Sequence, residues 1–204
     1  AFEVGCYGEI VTDIDGNEYS TIQIGDQTWM AENLKTTRYR NGDPIPTGLE
    51  PNVWASTNDG AYALYNDNTD YLENYGYLYN GWTILDSRGV CPEGYHPPSL
   101  AEFQILIDYI GGTSSGHKLK VDEDGQHWTG GLGTDEFGFS AYPGGWINEY
   151  TSESQKMFEH AYFYTTDEVG NLNMKSIRLF HDSDEINIYT LNRYAGYSVR
   201  CLEN

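Results

Sequence analysis

A helical pattern is clearest in the segment SLAEFQILIDYIGG at residues 99–112. Its apolar residues recur every three or four positions, which places them on one face of a helix. They are Leu100, Phe103, Leu106, Ile107 and Ile110. Ser99 and Glu102 form the residue pair of a capping box at the start, and Gly111 can end the helix in left-handed backbone. The pattern therefore predicts a capped amphipathic helix that buries one face.

The last third of the chain changes to short runs rich in aromatic and β-branched residues, separated by Asn, Asp and Gly. Such runs predict the strands of an antiparallel meander. They lie at residues 137–147, 160–168, 174–182, 186–191 and 196–202. Near the other end, residues 10–29 hold two β-rich runs around Asp15-Gly16-Asn17, which favours a hairpin. Helix and strands together predict a single α+β domain.

Two further segments carry weaker patterns, on either side of an irregular stretch. Residues 29–38 predict a short helical turn, and residues 77–86 predict a helix with its larger apolar side chains on one face. Between them, residues 39–76 have no period but contain six Tyr or Trp side chains. Because that many rings are costly to leave in water, we expect a long loop held against the core by its aromatic residues.

Composition and charge limit the classes of function. The formal net charge is −20, from 31 acidic and 11 basic residues, and it repels phosphate backbones and anionic membranes. The 18 Tyr, 5 Trp and 7 Phe argue against a disordered acidic chain. No apolar run reaches the length of a membrane span. We therefore expect a folded protein without a nucleic-acid partner or a membrane span, with residues 1–9 as a linker or tail and residues 10–204 as the domain.

Whether the cysteines are bonded or reduced indicates the cellular compartment of the protein. Cys91 precedes the predicted helix and Cys201 lies in the last predicted strand. A disulfide between them would close a loop of about 110 residues and contribute roughly 4–5 kcal/mol, and two buried, reduced thiols are an equal alternative. A zinc site is disfavoured, since His96 is the only nearby companion. Cys6 is interpreted as a spare thiol or the end of a linker to an upstream module. A lipid anchor there is a lesser alternative, because Glu3 stands where a lipoprotein cleavage site has an aliphatic residue.

Five blocks of the chain resemble a known bacterial family. They are WMAENL (29–34), YGYLYNGW (75–82), GVCPEGYHPPSLAEFQIL (89–106), DEFGFSAYPGG (135–145) and GYSVRCLEN (196–204). Their content and order are typical of the Fibrobacter succinogenes major paralogous domain, and the resemblance spans residues 10–204. The chain departs from the family at Gly81, where an aromatic residue is usual, and at GYHPP (94–98), where the family has a GW-R-L-P-like sequence. We interpret both departures as local repacking.

The resemblance implies a C-type lectin-like fold, in the branch that contains formylglycine-generating enzymes and the variable proteins of diversity-generating retroelements. In such a fold the first and last strands pair, two helices pack on a small twisted antiparallel sheet, and the loops are long. Family members are typically exported or surface-attached proteins of the Bacteroidetes–Fibrobacter group, often beside adhesin-like or carbohydrate-active modules. The implied location is extracellular or at the bacterial cell surface, which favours the Cys91–Cys201 disulfide over free thiols.

Signs of catalysis are weak. A formylglycine-generating oxidase binds copper through two nearby cysteines, whereas Cys201 has no other cysteine within a hundred residues along the chain. GTSSG (112–116) matches the letters of a nucleophile elbow around Ser114, but it follows the predicted helix instead of preceding one. The five histidines are too scattered for an iron ligand set. We expect no catalytic residue, and a degenerate oxidase is the enzyme alternative.

Two acidic segments, DEDGQ (122–126) and HDSDE (181–185), place carboxylates at alternate positions. Oxygen ligands at this spacing suit calcium, and solvated turns are the plainer interpretation. The predicted calcium ligands are Asp122, Asp124, Asp182 and Asp184, and no other cofactor is expected. The sequence Glu50-Pro51-Asn52 repeats a sugar-binding motif of C-type lectins, but it lies before the helix, whereas the lectin motif follows it.

Residues 145–197 combine Tyr and Trp with Asn and Arg, a composition common in binding surfaces. About half of these rings are expected in the core, because Tyr162 and Tyr164 alternate with Phe163 in a predicted strand. The predicted ligand contacts are Trp146, Asn173, Arg178, His181, Tyr189, Asn192, Arg193 and Tyr194. We therefore predict a non-catalytic binding or adhesion module for a glycan or protein ligand. The alternative is a retroelement-diversified receptor-binding protein, in which this C-terminal surface varies.

Overall fold

The computed structural model describes residues 8–121, 127–130 and 133–204. The helices in this part of the chain are α1 (Pro51–Trp54), α2 (Leu72–Tyr75), α3 (Gly81–Ile84) and α4 (Leu100–Ile110). Short 3₁₀ segments lie at Tyr65–Asp67, Thr69–Tyr71 and Thr113–Lys118. None of the helices described is long and apolar enough to cross a membrane.

Strands in the described residues are short, except for three near the C-terminus. They are β1 (Val11–Thr12), β2 (Glu18–Tyr19), β3 (Thr21–Ile24), β4 (Gln27–Met30), β5 (Tyr62–Ala63), β6 (Leu78–Tyr79), β7 (Tyr95–His96), β8 (Trp146–Ile147), β9 (Ser154–Gln155), β10 (His160–Val169), β11 (Asn173–Phe180), β12 (Ser183–Asn192) and β13 (Leu202–Glu203). The mixture of helices and small antiparallel sheets confirms the α+β class.

Two antiparallel sheets organise the fold. One contains four strands in the order β3-β4-β13-β7, and the other contains three strands in the order β10-β11-β12. The last strand, β13, lies inside the four-stranded sheet, where Leu202 is opposite both Trp29 of β4 and His96 of β7. The last strand therefore pairs with the early strand β4, whereas the first strand, β1, pairs with β2. The resemblance implied that the first and last strands pair. Two-stranded ladders join β1 to β2, β5 to β6 and β8 to β9.

Helix α4 begins and ends as the sequence predicts. Ser99 Oγ accepts a hydrogen bond from the Glu102 amide, and Glu102 Oε2 accepts one from the Ser99 amide at 2.7 Å. Gly111 follows the helix with a φ of 112°, in left-handed backbone. The buried residues of the helix are Phe103, Leu106, Ile107 and Ile110. This apolar face packs against β10 and β11, which fixes the position of the three-stranded sheet.

The buried side chains form two large clusters. The first cluster contains the apolar face of α4, Trp29 of β4 and one face of the three-stranded sheet. The second cluster encloses both disulfide cysteines and is rich in tyrosine. Its tyrosines are Tyr19, Tyr39, Tyr62, Tyr79, Tyr95, Tyr162, Tyr164 and Tyr197. Trp54 is also buried, and its Nε1 donates to the Tyr194 carbonyl at 2.6 Å, so aromatic side chains hold residues 39–76 as predicted.

The helical turn predicted at residues 29–38 is wrong, because sheet pairing uses the backbone there. The Ala31 amide donates to the Ser20 carbonyl at 2.8 Å, and the Leu34 amide donates to the Val199 carbonyl at 3.0 Å. These bonds join segments that are far apart in sequence. The amides that a helical turn would use are therefore already bound to other parts of the fold.

The helix predicted at residues 77–86 is reduced to the single turn α3. Leu78 and Tyr79 form β6 instead, paired with β5. Asn80 Oδ1 caps the turn by accepting a hydrogen bond from the Thr83 amide at 3.1 Å, so the helical backbone begins only after it. Among the residues described, α4 is consequently the one α-helix longer than a single turn, whereas the resemblance implied two helices.

Three of the five predicted C-terminal strands are confirmed as β10, β11 and β12. The predicted strand at 137–147 exists only at its end, in β8, and the one at 196–202 only at Leu202, in β13. Ser140 has a φ of 50°, which an extended strand does not allow. The carbonyls of Phe139 and Ser140 instead accept hydrogen bonds from the Arg200 side chain. A buried side chain thus replaces the expected strand partner.

Arg200 is fully buried and joins three distant segments. Its Nη1 donates to the carbonyls of Met30, at 3.1 Å, and Phe139. Its Nη2 donates to Asn33 Oδ1 at 2.8 Å and to the Ser140 carbonyl at 3.1 Å. Burial lowers the pKa of Arg200 to about 10, so the guanidinium is still charged at neutral pH. Carbonyl and amide oxygens therefore balance a buried cation in the core.

The Cys91–Cys201 disulfide favoured by the resemblance is confirmed, with the two Cα atoms 6.0 Å apart. Cys91 lies shortly before β7, and Cys201 directly follows Arg200. The bond therefore links two segments that flank adjacent strands of the four-stranded sheet. It holds the end of the chain covalently where Arg200 already holds it by hydrogen bonds.

Replacing either bonded cysteine should lower the free energy of unfolding by about 4 kcal/mol or more, because the bond closes a loop of 110 residues. We expect Cys91→Ala, Cys201→Ala and the double variant to lose nearly the same amount, since each removes the same bond. Denaturant unfolding of the three variants measures the losses. Losses that add up in the double variant would contradict a shared bond.

Arg200→Met should lower the free energy of unfolding by at least about 3 kcal/mol, because several buried oxygens lose their donor. Arg38→Met is the matched control. Arg38 Nε lies 3.3 Å from Asp15 Oδ1 with its side chain 56% exposed, and such surface ion pairs contribute about 1 kcal/mol or less. Urea unfolding compares the two variants. Equal losses would mean that Arg200 has no special structural role.

Candidate binding face on the C-terminal sheet

The three-stranded sheet has two faces with different surroundings. Residues opposite each other on antiparallel strands share a face, and successive residues alternate between faces. The face in the first cluster carries Ala161, Phe163, Ile177 and Leu179. The second face carries the register pairs His160–Phe180, Tyr162–Arg178 and Ser176–Tyr189. This second face lies in the region that the sequence identified as a binding surface.

Ring contacts join the second face to Trp146 of β8. The rings of Trp146 and His160 lie parallel, with centroids 5.6 Å apart and 6° between their planes. His160 meets Phe180 edge-on at 5.0 Å, and Tyr162 meets Trp146 edge-on at 5.2 Å. We call this group the aromatic face; its members are Trp146, His160, Tyr162, Arg178, Phe180 and Tyr189. All of them except the buried Tyr162 are half-buried and therefore reach the surface.

Arg178 lies at the centre of the aromatic face. Its guanidinium carbon is 3.4 Å from the ring centroid of Phe180 and 5.0 Å from those of Tyr162 and Tyr189. This arrangement is favourable because a cation is attracted to the electron-rich faces of aromatic rings. The Nε atom of Arg178 is enclosed and has no hydrogen-bond partner.

The two titratable rings beside Arg178 are neutral at neutral pH. Burial, and then the charge of the nearby Arg178, lower the pKa of His160 to about 4. Burial raises the pKa of Tyr162 to about 12, and Arg178 opposes this shift through its charge and a hydrogen bond. The charge of this part of the aromatic face is therefore the single positive charge of Arg178.

The predicted contacts Asn192, Arg193 and Tyr194 lie in a separate group at the end of β12. Arg193 is buried, with Nη2 2.8 Å from Glu168 Oε2 and its guanidinium carbon 4.5 Å from the Trp82 ring centroid. The Tyr194 ring lies 6.0 Å from Trp82, and Asn192 Oδ1 accepts a hydrogen bond from the Tyr194 amide. These polar groups are engaged within the protein, which indicates a structural role.

Asn173 and His181 also lie away from the aromatic face. Asn173 is opposite Asn192 at the far end of β11. His181 Nδ1 lies 2.8 Å from the carbonyl oxygen of Thr129, beyond the other end of the strand. The predicted ligand contacts that the structure brings together are Trp146, Arg178 and Tyr189.

Sequence reasoning missed His160, Tyr162 and Phe180 as members of this face. Alternation along a strand is the signal that could have placed His160 and Tyr162 on one side. Phe180 can be added only when the register of β10 on β11 is known, because it lies opposite His160. The pairing of β11 with β12 is also irregular between Arg178 and Phe180, and no local sequence signal marks that shift.

Of the four predicted calcium ligands, the structure describes Asp182 and Asp184. Asp182 lies in the turn between β11 and β12, and Asp184 lies near the start of β12. The buried Lys120 donates its Nζ to the Ser183 carbonyl between them at 2.9 Å. Within residues 8–121, 127–130 and 133–204, no three His, Cys, Asp or Glu side chains are arranged to hold a metal ion. Asp122 and Asp124 lie outside the described residues, so calcium binding stays a prediction.

An acidic cleft of about 680 Å³ lies between segments 48–54, 63–67 and 147–154. Its charged lining residues are Glu50, Asp67 and Glu153, and Trp54 and Ile147 form apolar parts of the wall. Glu50 and its neighbour Pro51 belong to the lectin-like Glu50-Pro51-Asn52 motif. That motif lies in the wrong place for a lectin site, but the concave shape and the polar and aromatic lining make the cleft a second location where a polyhydroxylated ligand can be tested. Its carboxylates repel anions.

The enzyme alternatives find little support in the surroundings of Cys201 and Ser114. Cys201 is bonded to Cys91, so these two cysteines offer copper no free thiol. Ser114 lies in the 3₁₀ segment after α4, and its Oγ donates to Glu185 Oε1 at 2.5 Å. A nucleophile elbow requires the turn between a strand and a following helix. Neither residue has the setting that its proposed chemistry requires.

His160 should titrate near pH 4 in the folded protein, whereas a histidine in an unfolded chain titrates near pH 6.5. Since the unfolded state binds this proton more tightly, the stability that neutral His160 contributes is complete above about pH 6.5 and is lost as the pH falls towards 4. NMR titration of the ring protons measures the pKa. Arg178→Gln should raise it, and titration near 6.5 in the wild-type protein would contradict the burial of the ring.

The comparisons with known proteins agree with the resemblance seen in the sequence. The sequence profile of the Fibrobacter succinogenes major domain matches residues 22–203, from within β3 to the end of β13. No curated protein and no solved structure shows a significant match to the chain. The match covers most of the chain, and the protein therefore belongs to the Fibrobacter succinogenes major domain family.

Proposed function

We propose that the protein is a non-catalytic extracellular module that recognises a glycan through the aromatic face. The observation that carries this proposal is the group of surface-reaching rings on the second face of the three-stranded sheet. The Trp146 ring is stacked on the His160 ring. The Tyr189 ring lies beside Arg178, with its centroid 5.0 Å from the guanidinium carbon. The face therefore combines flat apolar area with polar groups at its edge.

This combination suits a sugar. Aromatic faces pack against the C–H groups of a pyranose ring, and nearby hydroxyl and amide groups hydrogen-bond to sugar hydroxyls. Asn187, which is opposite Arg178 in the register, and Tyr189 supply such polar groups. Because His160 already orders the Trp146 ring, little side-chain entropy is lost when a ligand binds. Tyrosine and asparagine are also common in natural binding surfaces for these reasons.

A glycan is favoured over a protein ligand by the size of the face. A stable protein interface typically involves roughly 20–30 residues on each side. The aromatic face has far fewer members, and they surround one arginine. A patch of this extent is closer to the area of one or two sugar units.

We also propose an extracellular or cell-surface location and a C-type lectin-like arrangement of the fold. The disulfide supports the location, since oxidising compartments preserve such bonds. The pairing of β13 with β4 supports the arrangement, because it brings the two ends of the domain into one sheet.

Glycan binding should depend on Tyr189. We expect Tyr189→Ala to weaken binding at least about tenfold, because an aromatic contact is lost at the centre of the site. Tyr150→Ala is the matched control, since Tyr150 is 72% exposed and does not belong to the aromatic face. A broad glycan array, read with and without calcium, identifies the ligand, and calorimetry then compares the variants.

Absence of binding to every glycan on the array, with and without calcium, would overturn the proposal. Unchanged binding by Tyr189→Ala would show that the glycan does not bind at the aromatic face. The acidic cleft would then be tested as the binding site. Thermal unfolding of both variants checks that the folded fraction is the same.

A further inference from the structure

Arg178 is a cation for which the described chain provides no carboxylate. The chain has far more acidic than basic residues, and several of its described Lys and Arg side chains form ion pairs with carboxylates. Such pairs are Lys35–Glu73, Arg38–Asp15, Arg88–Asp86, Lys156–Glu159 and Arg193–Glu168. None of the ion pairs among the described residues includes Arg178, although its side chain reaches the surface.

The rings around Arg178 hold the guanidinium but leave hydrogen-bonding capacity unused. Phe180, Tyr162 and Tyr189 interact with the positive charge through their ring faces, while the N–H groups of a guanidinium point outwards in its own plane. The Tyr162 hydroxyl is one acceptor nearby. Nε is enclosed without a partner, and the half-buried Arg178 side chain as a whole reaches the surface. A ligand that reaches the surface side of Arg178 can therefore accept hydrogen bonds from the edge of its planar, fork-shaped guanidinium.

A planar or tetrahedral oxyanion is the ligand group that matches this edge. Arginine binds carboxylate, sulfate and phosphate groups through two parallel hydrogen bonds, and such bonds are stronger than neutral ones. A single guanidinium balances one negative charge. A carboxylate or a sulfate ester on a sugar carries one charge beside an apolar ring face, so it fits a cation placed among stacking rings.

We propose that Arg178 binds the oxyanion of an acidic sugar, a carboxylate or a sulfate ester, while Trp146 and Tyr189 pack on the sugar ring. This inference rests on the proposed glycan-binding function and narrows its ligand to acidic glycans.

The net charge of −20 repels such ligands at long range, so attraction has to come from the local contact. Salt screens the long-range repulsion more than a partly buried contact. Affinity for acidic glycans should therefore hold or rise with ionic strength, in contrast to binding on a basic surface.

The test uses glycan pairs that differ only in the acidic group. Oligogalacturonate is compared with its carboxyl-reduced form, and a sulfated oligosaccharide with its desulfated form, by calorimetry on the full chain. We expect the wild-type protein to bind at least one acidic member about tenfold or more tightly than its neutral counterpart. Arg178→Gln should bring that ratio close to one. Arg178→Lys should keep part of it, because lysine retains the charge but not the fork.

Arg38→Gln is the control, since it removes an exposed arginine away from the aromatic face and should leave the ratio unchanged. The ratio is measured within each variant, so a partial loss of folded protein does not alter it. Equal binding of both members, or an unchanged ratio in Arg178→Gln, would overturn this inference and leave glycan binding intact. Binding to no glycan, or only to an acidic peptide, would overturn the proposed function together with it. Comparison of the two glycan pairs shows whether Arg178 prefers a carboxylate or a sulfate ester.

Discussion

The buried guanidinium of Arg200 is the interaction on which the rest of the structure depends. It joins the end of β4, the segment before β8 and the segment before β13, and its acceptors are backbone carbonyls and the Asn33 side chain. A donor of this kind is far more important in the core than at the surface, because its removal leaves several enclosed oxygens without partners. The disulfide at Cys201, the next residue, holds the same segment covalently.

This anchoring extends to the aromatic face through the backbone of residues 196–198. Ile147 of β8 and Phe163 of β10 both form bridges with this segment. Neighbouring residues on a strand point to opposite sides. The buried Ile147 and Phe163 therefore hold the two strands, while the adjacent Trp146 and Tyr162 form part of the aromatic face. Rings carried by anchored strands keep their arrangement before a ligand arrives, which is what a small binding site requires.

Local signals in the sequence predicted the main elements, but contacts between distant segments had no local signature. Helix α4 was predictable from its caps and apolar spacing, and β10–β12 from the turns between them. Residues 137–147 have the composition of a strand, yet the side chain of Arg200 binds the carbonyls there. The sequence predicts Arg178 and Arg193 alike as ligand contacts. Only the folded chain shows that Arg193 forms an ion pair with Glu168. The disulfide was predictable through the family resemblance, since spacing alone left free thiols as an equal alternative.

NMR chemical-shift mapping is the most direct measurement of where a ligand binds. Trp146 belongs to the aromatic face and Trp54 lines the acidic cleft, so their indole N–H signals report both candidate locations in one titration with an acidic oligosaccharide. We predict saturable shifts of the Trp146 indole and Arg178 Nε–H signals, with the Trp54 signal unchanged. Saturable shifts of Trp54 without those of Trp146 and Arg178 would contradict binding at the aromatic face.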